Sequence, residues 1–476
     1  MRLLNVGTIL KISMLMLLPW RTVAQANSRP FPAVGPETTE AQGPVLEDTV
    51  ASDADPQITS DTHPLSGGLR SGLGSWGPRH SFLVPGFKLG QSLQSNPMFS
   101  DPGAYRGFTS ATGQLQAIQY LGRGGEFRYA GAARFDSSAT FYGANRFINS
   151  HGVSFAESFR PGAWNFVVND EAHFWQGSLA GDVGMEGMGS IVTEASRWGG
   201  VPGIQLGSFE MQSGLQPDQS ILSVRSARIS NTVLAEVDRR VGDRNTITAA
   251  AFYGLLHFYT RGLIDDDQRG LFAGFDHALS LRDHVGVMCG YSRFGFPGVP
   301  GTFSNSYAQL MYGRFLSRSL AFEAGAGPQH ISSSGTFTNY SDLNWQGRAS
   351  VNYQLRSLGI QMAATRSFTG GGGKLYGART NGVQSSITHS FNRVYSASFA
   401  SGVTRNTAIL AGQQYDTQHA GAYLSRNADS RFGMYFSYDL QNQRSSGFSA
   451  SGRDLTGLWQ IFGVGMSWGA RPVGVP

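Results

Sequence analysis

The chain has 476 residues, and only 14% of them are charged, where a soluble domain carries about 25%. Glycine numbers 63 and aromatics make up 12%, too much apolar and ring surface for a chain disordered throughout. The single cysteine, Cys289, excludes an internal disulfide and a cysteine zinc site, and no cysteine near the N-terminus offers a lipoprotein anchor.

Residues 1–26 read as a secretory signal peptide. Arg2 and Lys11 give a positive start, Ile12 to Leu18 a short apolar core, and Ala24-Gln25-Ala26 a small-x-small cleavage pattern. The apolar run is too short for a membrane-spanning helix, and no later run is long enough either. If the chain resides in a membrane, it must cross with strands.

Residues 27–110 are expected to stay outside the fold. The first part, to about 66, is rich in proline and acid, with seven carboxylates against Arg29 alone, and has neither helix nor strand period. The second part is Gly/Ser-rich. Without signal and acidic linker the body holds 33 basic against 25 acidic residues, about +8, nearly all of it arginine. These charges are dispersed, not clustered as in a nucleic-acid binder, so no nucleic-acid partner is expected.

Beyond about residue 112 side chains alternate with period two. Phe127, Tyr129, Gly131, Ala133 and Phe135 alternate with Glu126, Arg128, Ala130, Ala132 and Arg134; Trp345 to Tyr353 and Phe432 to Tyr438 repeat the pattern. Successive strand side chains point to opposite faces, so each segment has an apolar and a polar face. Residues 137–219 are less regular; two or more poorly patterned strands fit better than a loop folded into a lumen.

The connections are more specific. Short turns at 242–245, 281–283, 316–318, 355–357, 391–393 and 427–429 alternate with longer Gly/Ser/Asn/Thr-rich stretches from residue 242 to the end. Turn centres recur every 35 to 39 residues. A propeller blade fits four strands into about that length, whereas these strands are long enough that only two fit. A β-sandwich has no reason for strict short/long alternation. A soluble barrel must fill its interior with apolar side chains, which works near ~8 strands and not near 16.

Thirteen strands can be counted from 229 to 468, and three to five precede them. The sequence therefore predicts an all-β transmembrane antiparallel up-and-down barrel of about 16 strands, within a range of 14 to 18, spanning residues 111–468, with tight turns on one side of the membrane, loops on the other, and a C-terminal tail at 469–476. Strands of this length cross the hydrocarbon when tilted, and closure pairs every backbone group.

The last strand ends with glycine, two variable residues, then apolar-x-aromatic: Gly463, Met466 and Trp468. In this it resembles the outer-membrane β-barrel superfamily, of porin-like architecture, whose final strand carries an assembly signal. Two departures are visible: Ile461 stands where a polar residue is usual, and eight residues follow the aromatic. The resemblance implies residence in the cell outer membrane, with membrane lipid and the barrel-assembly machinery as partners and no cofactor. Trp345, Tyr353, Tyr291, Trp459 and Trp468 are placed where interfacial aromatics of such barrels stand.

For function, the reading is a passive, porin-like route for small hydrophilic solutes, lined by Arg128, Arg134, Gln346, Arg348 and Asn352, with a weak anion preference from the positive body. The alternatives are a non-conducting structural or assembly barrel, for instance one serving polysaccharide export, and a barrel hydrolase. The hydrolase reading rests on His330-Ile331-Ser332, which has the histidine-to-serine spacing of outer-membrane phospholipase A but no evident third group. No enzyme activity is expected. No histidine pair has metal-ligand spacing with a carboxylate, so no metal is expected, and Asp265 to Asp267 read as a solvated loop. Gly370 to Gly373 with Lys374 resemble a phosphate loop in composition only, and read as a flexible loop.

Overall fold

The computed structural model describes residues 81–95, 105–121, 127–142, 146–176, 226–469 (apart from 243, 281, 318, 338–339, 356, 372, 393, 411, 428–431 and 448–455) and 473–475. The signal peptide and the acidic linker lie outside the described residues.

Among the described residues the only regular elements are strands. β1 is Ser81–Ser95, β2 Tyr105–Leu121, β3 Phe127–Tyr142, β4 Arg146–Pro161, β5 Trp164–Trp175, β6 Arg228–Val241, β7 Asn245–Phe258, β8 Asp266–Ala278 and β9 Asp283–Phe296. β10 is Val299–Phe315, β11 Leu320–Gly335, β12 Ser341–Gln354, β13 Leu358–Thr369, β14 Ala378–Ser390, β15 Tyr395–Ala408, β16 Gln414–Asn427, β17 Phe432–Ser446 and β18 Gly457–Gly469. Each pairs antiparallel with the next, and β18 pairs with β1, so eighteen strands close a barrel. Closure leaves no edge whose N–H and C=O groups would face lipid unpaired.

Two expectations change, the start of the barrel and the C-terminal tail. The barrel has eighteen strands, at the upper end of the expected 14 to 18, because five precede Arg228. It begins at Ser81 and not at 111: β1 and the start of β2 come from the Gly/Ser-rich stretch, whose glycines and serines blurred the period. Residues 137–219 supply strands, as expected: the end of β3 and all of β4 and β5, with 177–225 outside the described residues. The C-terminal tail contains a further short strand, β19 (Val473–Val475), paired with Ser81–Leu83 of β1.

Strand parity sorts the side chains. Exposed apolar residues stand on the outer face, among them Leu271, Leu310, Leu343, Val383, Val403 and Val464. Buried polar residues such as Thr246, Thr248, Gln309, Gln329 and Gln346 stand on the inner one. A soluble protein would be inside-out with this arrangement; in lipid the apolar face is the solvated one. Along β15 the outward set Tyr395, Ala397, Phe399, Ser401, Val403 covers nine residues, the hydrocarbon width for a tilted strand. Cys289 is exposed on this outer face.

The closing seam is held by a side chain as well as the ladder. Tyr435 on β17 lies over Gly465 of β18 and Gly90 of β1, where a Cβ at either glycine would meet its hydroxyl at 2.5 Å. The Lys88 ammonium sits 4.7 Å from the same ring.

Candidate functional site: the inner wall and the mouth of the barrel

The inner wall is a set of hydrogen-bonded polar rungs. Gln329 Nε2 on β11 donates to Asn305 Oδ1 on β10 (2.9 Å) and to Gln346 Oε1 on β12 (3.0 Å). On β5 to β7, Asn165 Nδ2 and Thr248 Oγ1 both donate to the Asp238 carboxylate, at 3.0 and 2.7 Å. Arg348 Nη2 on β12 stands 3.3 Å from Glu323 Oε1 on β11, the two side chains only 3% and 2% exposed. Each of these residues thus has a partner on the next strand, although Gln346 Nε2, Glu323 Oε2 and the Nε and Nη1 of Arg348 are buried without one.

The predicted lining residues divide. Gln346, Arg348 and Asn352 lie on the inner face of β12. Gln346 and Arg348 are buried among partners, while Asn352 is partly exposed. Arg128 and Arg134 lie on β3, in register with Arg160 and with Gln116 and Ser154, but their side chains lie outside the described ones. Sequence reasoning missed an apolar stripe inside the barrel: Leu234, Ala250, Phe272, Met288 and Met311, flanked by Phe252 and Tyr307. These large side chains fall on the polar parity of β6 to β10, and that interruption was the available signal.

Charge is also arranged differently from the body average. Among the described buried side chains, acids on the inner wall (Glu236, Asp238, Asp266, Asp276, Glu323) outnumber the bases Lys88, Arg228 and Arg348. Most of the described arginines other than Arg228 and Arg348 lie in turns or on the outer face.

At the loop end the wall splits. β12 pairs with β11 as far as Ser341, but its pairing with β13 stops at Gly347, so Ser341 to Gln346 have no ladder partner on that side. β13 leaves the wall here and carries its hairpin with β14 inward. Phe368 follows the outward parity of β13 yet is buried against Phe294 of β9 and Phe303 of β10, which point inward. Arg366 bridges the split: its Nε donates to Trp345 O (3.2 Å), its Nη2 to Asn344 Oδ1 (3.1 Å), and it lies 4.5 Å from the Trp345 ring centre.

The described residues of the hairpin tip, 370–371 and 373–377, are tied together by backbone hydrogen bonds, where the sequence reads as a flexible loop. Leu375 N donates to Gly371 O (3.1 Å) and Gly377 N to Gly370 O (3.0 Å). Gly371 and Gly377 adopt φ of 96° and 72°, where a side chain would be strained, and at both a Cβ would also crowd neighbouring atoms. The tip reaches across the mouth: Ile264 N, between β7 and β8, donates to Gly373 O (3.0 Å), and Ile409 N, between β15 and β16, donates to Gly377 O (3.2 Å). Tyr376 meets Phe296 and Phe337 at 5.3 and 5.5 Å. Lys374 is partly buried there, and desolvation lowers its pKa from the ordinary lysine value.

The remaining candidates resolve as follows. His330 Nε2 faces Ser341 Oγ at 3.0 Å, across to β12, on the exposed outer surface. Asp265 accepts from Phe258 N (2.8 Å) and lies 2.6 Å from His257 Nδ1, so it shapes the β7–β8 loop. No group of three His, Cys, Asp or Glu side chains is placed to hold a metal among the described residues. In β18, Met466 and Trp468 face outward and Gly463 inward, between Ser437 and Ser92. Trp459, expected at an interface, instead points inward and is buried.

A closed antiparallel barrel with an even strand number, an apolar outer band, polar inner rungs, short turns at one end and loops at the other is the architecture of a transmembrane β-barrel of the outer-membrane type. No protein-family model matches the chain, and no curated protein matches it. Among solved structures the chain is similar to OccK2 (OpdF) of Pseudomonas aeruginosa, at 11% identity over 83% of this chain and 98% of that one, with a TM-score of 0.44. It is similar as well to a BenF-like porin from Pseudomonas fluorescens Pf-5 (10% identity, 83% and 99% covered, TM-score 0.44). The outer membrane protein OpdK of P. aeruginosa is matched at 11% identity, with 82% and 98% covered and a TM-score of 0.41.

Proposed function

We propose that the protein is a passive outer-membrane channel for small hydrophilic solutes, covered at its outer mouth by the β13–β14 hairpin tip. The observation that carries this reading is the inner parity of β10 to β12. Asn305, Gln309, Gln329, Gln346, Arg348 and Ser350 place amides, a guanidinium and a hydroxyl on the inner side, packed against one another and buried at this level, in a barrel of eighteen strands, a number at which barrels leave an aqueous route. Polar rungs of this kind replace part of a solute's hydration, which an apolar lumen does not.

The hairpin tip supports a second reading, a non-conducting structural or export-associated barrel, since it spans the mouth from the β7–β8 loop to the β15–β16 loop. Conductance of the refolded protein in planar bilayers, beside a variant lacking residues 371–376, separates them. The channel reading expects discrete conductance that rises when the tip is removed. Silence from both folded proteins removes it and leaves the structural one.

A further inference from the structure

The outer face carries a second feature that conduction does not use. Strand register places Arg366 of β13, Asn381 of β14, Arg405 of β15, Asp416 of β16 and Arg444 of β17 side by side in one row. All five share the parity of the lipid-facing residues. One row closer to the turns lie Ala364, Val383 and Val403, the last two about half exposed, and the apolar band continues below them. Counting nine residues from Tyr395 at the turn end to Val403 fills the hydrocarbon width, so the Arg366–Arg444 row stands at the boundary between acyl chains and headgroups on the loop side.

The charges of this row do not cancel. Arg405 is spent on Asp416, with Nε–Oδ1 and Nη2–Oδ2 both 2.9 Å. Arg379, one row nearer the loop tips on β14, is paired with Asp342 at 2.7 Å. Arg366, in contrast, has neutral partners: the Trp345 carbonyl, the Asn344 and Asn381 amide oxygens and the Trp345 ring. Arg444 is exposed and makes no ion pair among the described residues. Four guanidiniums therefore face two carboxylates. The arginines at the opposite boundary are different: Arg239 and Arg426 lie over the rings of Trp164 and Tyr395, 4.8 and 5.8 Å away.

We propose that the β13–β17 row is a binding site for the phosphate groups of anionic outer-leaflet lipids, whose acyl chains lie along Met362, Val383 and Val403. Neighbouring strands are about 4.8 Å apart, so Arg366 and Arg444, four strands apart, stand roughly 19 Å from each other at the backbone, one on either side of the Arg405–Asp416 pair, and each takes a lipid phosphate on its own side of that pair. A planar guanidinium donates two parallel hydrogen bonds to phosphate oxygens. The lipid is favoured over a free anion by position: the row has an apolar wall on its membrane side, and only an anion carrying acyl chains covers both. The site rests on residence of the barrel in a bilayer and is independent of whether the barrel conducts.

Spin-labelled phosphatidic acid in phosphatidylcholine vesicles containing the folded full-length protein measures this directly. The protein should hold the anionic lipid more strongly than the labelled choline lipid by about fivefold for each unneutralised arginine, about 25-fold for the two together. Arg366→Gln and Arg444→Gln, alone and together, should reduce that preference stepwise, while Arg426→Gln at the other boundary should leave it intact. Because Arg366 also ties β12 to β13, Arg444→Gln is the decisive single variant, and heat-modifiable gel mobility confirms that each variant is folded. No preference in the wild type, or a preference unchanged in Arg444→Gln and the double variant, overturns the proposal. Equal competition by inorganic phosphate at millimolar concentration also overturns it, by showing a site for free anions.

Discussion

Phe368 of β13 meets Phe294 of β9 edge to face, ring centres 4.9 Å apart and planes at 87°, although β10, β11 and β12 separate the two strands along the wall. Two strands so far apart touch only because the β13–β14 hairpin has left the wall and folded across the mouth. The contact belongs to an aromatic cluster with Phe296, Phe303 and Phe337.

Truncating that contact should free the hairpin before it harms the barrel. Removing a buried phenylalanine side chain costs about 3–5 kcal/mol, which is roughly a hundredfold or more in a docking equilibrium. Phe368→Ala is expected to raise single-channel conductance or its open fraction while the unfolding temperature changes little, because the eighteen-strand ladder is untouched. A conductance equal to wild type in planar bilayers would show that the hairpin does not restrict the route.

Hairpin docking should tighten at alkaline pH. Burial lowers the pKa of Lys374, so the docked state disfavours the ammonium. The penalty on docking is full at pH below the lowered value and disappears as pH rises through it toward the free lysine value of about 10.4. Open probability should therefore fall with rising pH in that window, and Lys374→Met should remove the dependence. A pH response that persists in Lys374→Met would assign it to another group.

The two faces of β12 should both be sensitive, for different reasons. Val351→Arg puts a charge on an outward, lipid-exposed position, and about 2–4 kcal/mol of destabilisation follows near the midplane. Orientation alone suggests that Arg348→Ala costs little. The structure reverses that expectation, because Arg348 is buried and paired with Glu323, and removing one member of a buried pair costs about 3–5 kcal/mol. The double variant Arg348→Ala, Glu323→Gln should recover most of the loss. Chemical denaturation of the four species in one lipid gives the cycle; additive losses would show that the pair does not couple.

Ion selectivity should follow the inner wall rather than the whole chain. The body's arginine excess predicts a weak anion preference, but the described buried inner residues hold more carboxyl than basic side chains. A weak cation preference is expected, reduced by Asp238→Asn, and reversal potentials across a salt gradient measure it. A preference for anions would place the selecting charges elsewhere, Arg128 and Arg134 being the first to substitute.

Periodicity and turn spacing made most of the barrel legible. A period of two with one apolar face, broken by alternating short and long connections, is produced by strands that must satisfy every backbone group between lipid and a polar interior, so thirteen strands from β6 to β18 could be counted directly. The outward direction of Val351, Met466 and Trp468 followed from the same parity, as did the inward direction of Gln346 and Arg348. The first strand was hidden because the Gly/Ser-rich segment that forms β1 gives almost no contrast between faces. What only the tertiary structure decided depends on strands distant in sequence: the break between β12 and β13 above Gly347, the fold of the 370–377 tip over the mouth, the Glu323–Arg348 pair and the alignment of Arg366, Arg405 and Arg444 in one row. Local alternation fixes which face a side chain takes. Register and curvature fix which other side chains it meets, and these arise from the ladder as a whole.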